Sequence, residues 1–205
     1  MKKTFQLILA TLMFSALAFS QLASEADGVF QVHPLYNLNI GDSFVNLTNV
    51  GTLNGNAPTG NICVNVYTFS PDEQLVSCCA CPVTPNALNS LSANSDLVSN
   101  TLTPAHPTSI VVKLLATLPG GGTCNPSSPT ATNLVRGMKA WATTIHAQPT
   151  SPVSYLASET EFAKAELSAT ELARITSLCG FIQANGSGFG ICKACRLGGL
   201  GAVSQ

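Results

Sequence analysis

Residues 61–83 read NICVNVYTFSPDEQLVSCCACPV, and most of the fold is implied by this run. In its first nine residues Ile62, Val64, Val66 and Thr68 alternate with Cys63, Asn65, Tyr67 and Phe69. That period of two describes a half-buried β-strand. Ser70-Pro71-Asp72-Glu73 then fits a type I turn, with serine at the first position and proline, whose φ is preset, at the second. Gln74–Cys79 returns as the antiparallel neighbour. The chain is therefore expected to be a β protein built around a hairpin that carries Cys63, Cys78, Cys79 and Cys81.

Outward from this hairpin the same texture repeats. Short runs rich in Val, Ile, Thr, Phe and Tyr are separated by Gly, Pro, Asn and Ser clusters about every ten residues. Val29–Val32 and Ser43–Asn49 precede it, the latter running through the Asn54-Gly55 turn signal into residue 61. Ser109–Leu118, SIVVKLLATL, is apolar almost throughout, as for a strand buried on both faces. Lys139–Ala147 carries the single tryptophan, Trp141, read as a core anchor. After Pro152 the pattern becomes helical. Ser158-x-x-Glu161 and Ser168-x-x-Glu171 both match capping boxes, and Leu172, Ile175, Leu178, Cys179 and Ile182 form one stripe ending at Asn185-Gly186. The expected architecture is a mainly β, sandwich-like, disulfide-stapled fold of about six to eight strands with a C-terminal helical segment. Its expected divisions are a leader over 1–20, a β-rich domain over 21–152 and a helical, cysteine-containing segment over 153–205.

The leader reading rests on MKKTFQLILATLMFSALAFS, which has a basic start, a short apolar run and small residues suited to cleavage. An exported protein is expected, secreted, at the cell surface or in the periplasm, with no membrane span in the mature form. Only 9% of the residues are charged, against about 25% in an average soluble domain. Cleavage would take Lys2 and Lys3, leaving seven basic residues against ten acidic ones. No basic patch points to nucleic acid. A low-charge surface rich in hydroxyls and amides is compatible with self-association.

All eight cysteines, Cys63, Cys78, Cys79, Cys81, Cys124, Cys179, Cys192 and Cys195, lie beyond the leader, and an even count in an oxidising compartment suits four disulfides. Two rival readings compete with this. Cys78-x-x-Cys81 and Cys192-x-x-Cys195 have the spacing of two knuckles of a tetrahedral zinc site, and Cys192-Lys193-Ala194-Cys195 has that of a redox pair. Export, the crowding by Cys79 and the four further cysteines favour disulfides, with no cofactor. Adjacent Cys78 and Cys79 should each bridge outward, to Cys63 or to the Cys179, Cys192 and Cys195 group, pinning the C-terminal helix to the β-body.

Catalytic signals are weak. His33, His106 and His146 fall in no hydrolase motif, so an unrecognised secreted hydrolase is an alternative without a named site. Lys113, interrupting the most apolar strand, reads as a charge guarding a sheet edge, with an isopeptide link to an Asn or Asp as the rival reading. The stretches CVNVYTFSPDEQLVSCCACPVTPNALNSLS and ELARITSLCGFIQANGSGFGIC resemble a group of exported, cysteine-rich bacterial proteins with no assigned function. That resemblance implies that the cysteine clusters and the helix form one unit. The functional expectation is a non-enzymatic structural or interaction protein, binding itself, another extracellular protein or a glycan. Gly28–Leu38 is the segment expected to complete a neighbour's sheet, with a metal-binding or thiol-redox module as the alternative.

Overall fold

In a computed structural model of the protein, the residues described are 28–51, 60–104, 106–150, 152–193 and 196–197. The expected leader, the Asn54-Gly55 turn and Cys195 lie outside them. The opening hairpin forms as β3 (Ile62–Phe69) and β4 (Leu75–Val83), antiparallel, with Cys63 opposite Pro82 and Tyr67 opposite Cys78. At its turn the Glu73 N–H donates to Ser70 O and the Ser70 N–H to Gln74 O, both at 3.0 Å. Glu73 sits at φ 65°, so a type I turn followed by a left-handed residue closes the loop.

Around the hairpin lie β1 (Phe30–Leu35), β2 (Gly41–Asn49), β5 (Leu88–Ser92), β6 (Ile110–Thr117), β7 (Met138–Gln148), β8 (Ser154–Glu161) and two short strands, β9 (Ala163–Lys164) and β10 (Arg196–Leu197). They assemble into two five-stranded sheets, ordered β4-β3-β6-β1-β9 and β10-β5-β2-β7-β8. The pairings between these strands are antiparallel throughout. Between the sheets Val45, Leu47, Val64, Val66, Leu91 and Leu114 are wholly buried. Each large side chain removed from water in this way contributes about 1.5–3 kcal/mol.

A second apolar layer covers the outer face of the first sheet. The helix α1 (Ala169–Asn185) lays Ile175, Cys179 and Ile182 on Phe30, Tyr67, Phe69, Leu75 and Leu115. Its start is set by Ser168, whose hydroxyl accepts the Glu171 N–H at 3.0 Å, and its end by Gly186 at φ 65°. With the opposing sheet on one side and α1 on the other, all eight residues of β3 are buried. The half-buried strand inferred from alternation is thus corrected: Tyr67 and Phe69 face a second core, and Cys63 and Asn65 on the same side are buried too, Cys63 being bridged to Cys124. The near-continuous apolar run of β6, central in the same sheet, matches its two-sided cover.

Three further expectations are corrected. Ser158-x-x-Glu161 caps no helix; it lies in β8, paired residue by residue with β7 from Ser154↔Gln148 to Glu161↔Trp141. The β-body therefore runs past residue 153, since β8 belongs to one sheet and β9 to the other, and the helix begins only at Ala169. Trp141 is half-buried and sits on the outer side of β7, because Met138, Ala140 and Ala142 take the core side.

Candidate interaction edge

The cysteines cluster at the β4 edge of the first sheet. Cys78 bridges to Cys179 on α1 (Cα–Cα 6.0 Å) and Cys79 to Cys192 beyond it (5.3 Å), while Cys63 bridges to Cys124 in the loop after β6 (5.4 Å). Cys81 is disulfide-bonded as well. The outward bridging of Cys78 and Cys79 agrees with the strain that a vicinal bridge would impose. Cys63, expected as a recipient for this cluster, instead fastens the 119–129 loop. The zinc alternative is corrected by the same pairs: the sulfurs of Cys78 and Cys192 are consumed crosswise by Cys179 and Cys79. A sulfur tied in a disulfide is not a thiolate metal ligand.

The edge itself is capped by backbone. The Cys78 N–H donates to Gly190 O (2.9 Å), the Cys192 N–H to Cys78 O (3.2 Å) and the Leu102 N–H to Val76 O (2.9 Å). Gly190 is required there, since a Cβ would stand 2.8 Å from Ile182 Cγ2 at a φ of 77°. Close by, burial holds the Tyr67 phenol protonated far above its ordinary range, and its hydroxyl donates to Pro126 O at 2.6 Å.

Lys113 guards no edge. β6 lies between β3 and β1, and the Lys113 ammonium pairs with Glu171 in the first turn of α1 while standing 4.8 Å from the centroid of the Phe69 ring. Glu171 also meets Arg174 at 3.7 Å, and Arg174 packs against the same ring. The lysine thus seats the helix on the sheet, and its carboxylate partner is a glutamate, not the Asn or Asp of the isopeptide reading. Gly28–Leu38 is corrected in the same way: β1 pairs over six residues with β6 of its own chain.

An open cleft of ≈ 580 Å³ lies between the β3–β4 turn and the loop before β6, lined by Ser70, Asp72, Gln74, Pro104, His106 and Pro107. Ser70, Asp72, Gln74 and His106 are engaged locally. The Ser70 hydroxyl and the Gln74 amide donate to the two oxygens of Asp72, and His106 Nδ1 lies 3.1 Å from Val98 O. The histidine is therefore oriented by backbone and the serine by a turn carboxylate. No Ser–His hydrogen bond, the contact that activates a hydrolase nucleophile, is formed between Ser70 and His106.

The opposite margin of the molecule is different in kind. β8 is the outermost strand of its sheet, and every one of its eight residues is exposed. Along it Tyr155 and Leu156 are 67% and 63% exposed, next to Val153 at 61%. Ile40, also exposed, follows the same ribbon through the bond from the Ala147 N–H to Ile40 O at 2.9 Å. β8 is nonetheless firmly seated on β7. On its outer face a chain of side-chain bonds runs from Ser90 through Asn46 and Thr143 to Glu159, crossing β5, β2, β7 and β8, and Lys139 meets Glu161 at 3.2 Å. Phe162, buried, carries the chain across to the first sheet, where β9 faces β1 over only two residues. Among the described residues the inward side of β8 is thereby left uncovered. Sequence reading missed this edge because a local capping pattern masked it and because, with both faces of β8 exposed, Ser154–Glu161 shows no alternation of apolar and polar residues to mark a strand. No family model, curated protein or solved structure matches this chain.

Proposed function

We propose that this chain is an exported, non-enzymatic interaction or structural protein: a disulfide-stapled β-sandwich that presents the β7–β8 ribbon for strand addition by a partner. The single observation that carries the reading is the β8 edge, which among the described residues is bare: eight exposed residues in unbroken register with β7. A long strand edge with unpaired N–H and C=O groups is a template for another strand, and soluble proteins ordinarily blunt it. Here no proline, lysine or bulge interrupts the strand. The disulfides support an oxidising compartment outside the cytosol.

A library of random extended peptides, selected on the immobilised protein, tests the reading. Neighbouring residues of a strand point their N–H groups in opposite directions, so one of Ala157→Pro and Ser158→Pro removes a donor from the free edge without touching the β7 ladder. Selected peptides should lose at least tenfold in affinity for that variant. A selection that yields no binder, or binders indifferent to both prolines, overturns the reading.

A further inference from the structure

We infer that the strand this edge accepts is β8 of a second copy of the same chain, joined antiparallel about a two-fold axis through Ala157. The inference rests on the strand-addition reading above. A two-fold axis normal to a sheet places one residue opposite its own copy and keeps each face of the sheet continuous across the junction. The distribution of charge along β8 selects an arrangement of this kind. Both of its acids, Glu159 and Glu161, lie in the C-terminal half, and its exposed apolar residues, Tyr155 and Leu156, lie in the N-terminal half. A parallel in-register pair would stack Glu159 on Glu159 and Glu161 on Glu161, which is destabilising.

With Ala157 on the axis, a small side chain meets its copy. Leu156 then stands opposite Ser158 of the second copy, Tyr155 opposite Glu159 and Ser154 opposite Thr160, so each Glu159 faces a neutral residue. Tyr155 and Glu159 lie on the same outer face as the Ser90–Asn46–Thr143 hydrogen-bond chain. The phenol can therefore donate to the carboxylate of the other copy, a charge-assisted pairing. The two β8 sheets would fuse into one, the Asn46–Thr143 ladder running through both halves, and the exposed Val153 of each copy would lie at the two ends of the seam.

Seven residues of strand pairing bury less than a standard interface, so the dimer should be weak and reversible. Protein secreted and processed by an exporting host from the full-length gene, followed by sedimentation equilibrium from about 1 µM to about 1 mM, should pass from monomer to dimer. Ala157→Lys and Ala157→Glu each place like charges across the axis and should each weaken dimerisation at least tenfold. An equimolar mixture of the two should regain it. Because Ala157 is exposed, both variants should keep the parent's circular dichroism and melting curve, which checks that they fold. A chain that stays monomeric at the highest concentration, a dimer indifferent to either substitution, or a mixture that fails to reassociate overturns the inference. If the parent is monomeric while peptides still select on the edge, self-pairing alone has failed; if neither occurs, the strand-addition reading fails with it.

Discussion

The two outer strands β4 and β8 pose the same physical problem and receive opposite treatments. At β4 the outward backbone is met by Gly190 and Cys192, and the strand is tied by Cys78–Cys179 and Cys79–Cys192 to the helix that roofs it. Among the described residues, β8 has neither a neighbouring strand on its outer side nor cover on either face. The contrast teaches where the chain has placed its stability: covalent and apolar on one margin, and on the other only what β7 and a few side-chain bonds provide. Stability should accordingly depend steeply on the β4 margin and hardly at all on β8.

The largest effect is expected from removing both bridges at β4 together. Each closes a loop of over a hundred residues in sequence, 101 and 113. With Cys81 expected to join Cys195, the remaining cysteine of the eight, a third bridge ties the same segments; Cys79–Cys192 then closes a ring of about 7 residues, worth roughly 2 kcal/mol, and Cys78–Cys179 one of about 15 through the end of α1, worth roughly 3 kcal/mol. Replacing Cys78 and Cys179 by Ala should therefore cost about 3 kcal/mol, and replacing all four cysteines about 5 kcal/mol. The latter reaches the lower end of the whole stability of a typical domain. Guanidinium unfolding of the oxidised proteins measures both, and equal losses for the two variants would show that the bridges do not share the load in this way. Peptide mapping of the same material should show no free thiol and should join Cys81 to Cys195, the remaining cysteine of the eight.

Next comes the apolar roof. Ile175 is wholly buried between α1 and the outer face of the first sheet, so Ile175→Ala should cost about 3 kcal/mol through lost transfer energy and the cavity left behind. A loss below about 1 kcal/mol would mean that the bridges alone hold the helix. Smaller still is the cap: Ser168→Ala removes the acceptor for the Glu171 N–H and should cost about 1 kcal/mol. The same substitution should loosen the Lys113–Glu171 pair, since the capped turn is what presents Glu171 to the lysine.

The difference between the margins also explains what can be read from the sequence. Where local pattern and tertiary surroundings agree, the reading is sharp: Ser109–Leu118 against β6, and the Ser168 cap with the Ile175, Cys179 and Ile182 stripe against α1. Period two identifies a strand but does not say how many layers cover it, so it leaves β3 half-buried and Lys113 at an edge. The lysine's role becomes clear only when Glu171, 58 positions along the chain, is placed above it. The capping pattern at Ser158 shows the converse. A four-residue helical signal gives way to eight consecutive pairings with β7, because tertiary context overrides weak intrinsic propensity. That Cys78 and Cys79 bridge outward follows from covalent geometry, whereas the choice of Cys179 for one and Cys192 for the other depends on where the helix ends.

The smallest stability effect is expected at β8, and its smallness is the informative part. Ala157→Lys changes a side chain that touches solvent on a strand whose ladder to β7 is made by backbone, so unfolding should shift by no more than about 0.5 kcal/mol. If β8 were instead a structural margin like β4, a lysine at its centre would cost more than that, by disturbing the outer-face chain that ends on Glu159. Unfolding of the monomeric protein at low concentration separates the two cases. An edge that adds little to stability, yet is long and unbroken and carries its only charges at Glu159 and Glu161, is what the strand-addition proposal requires.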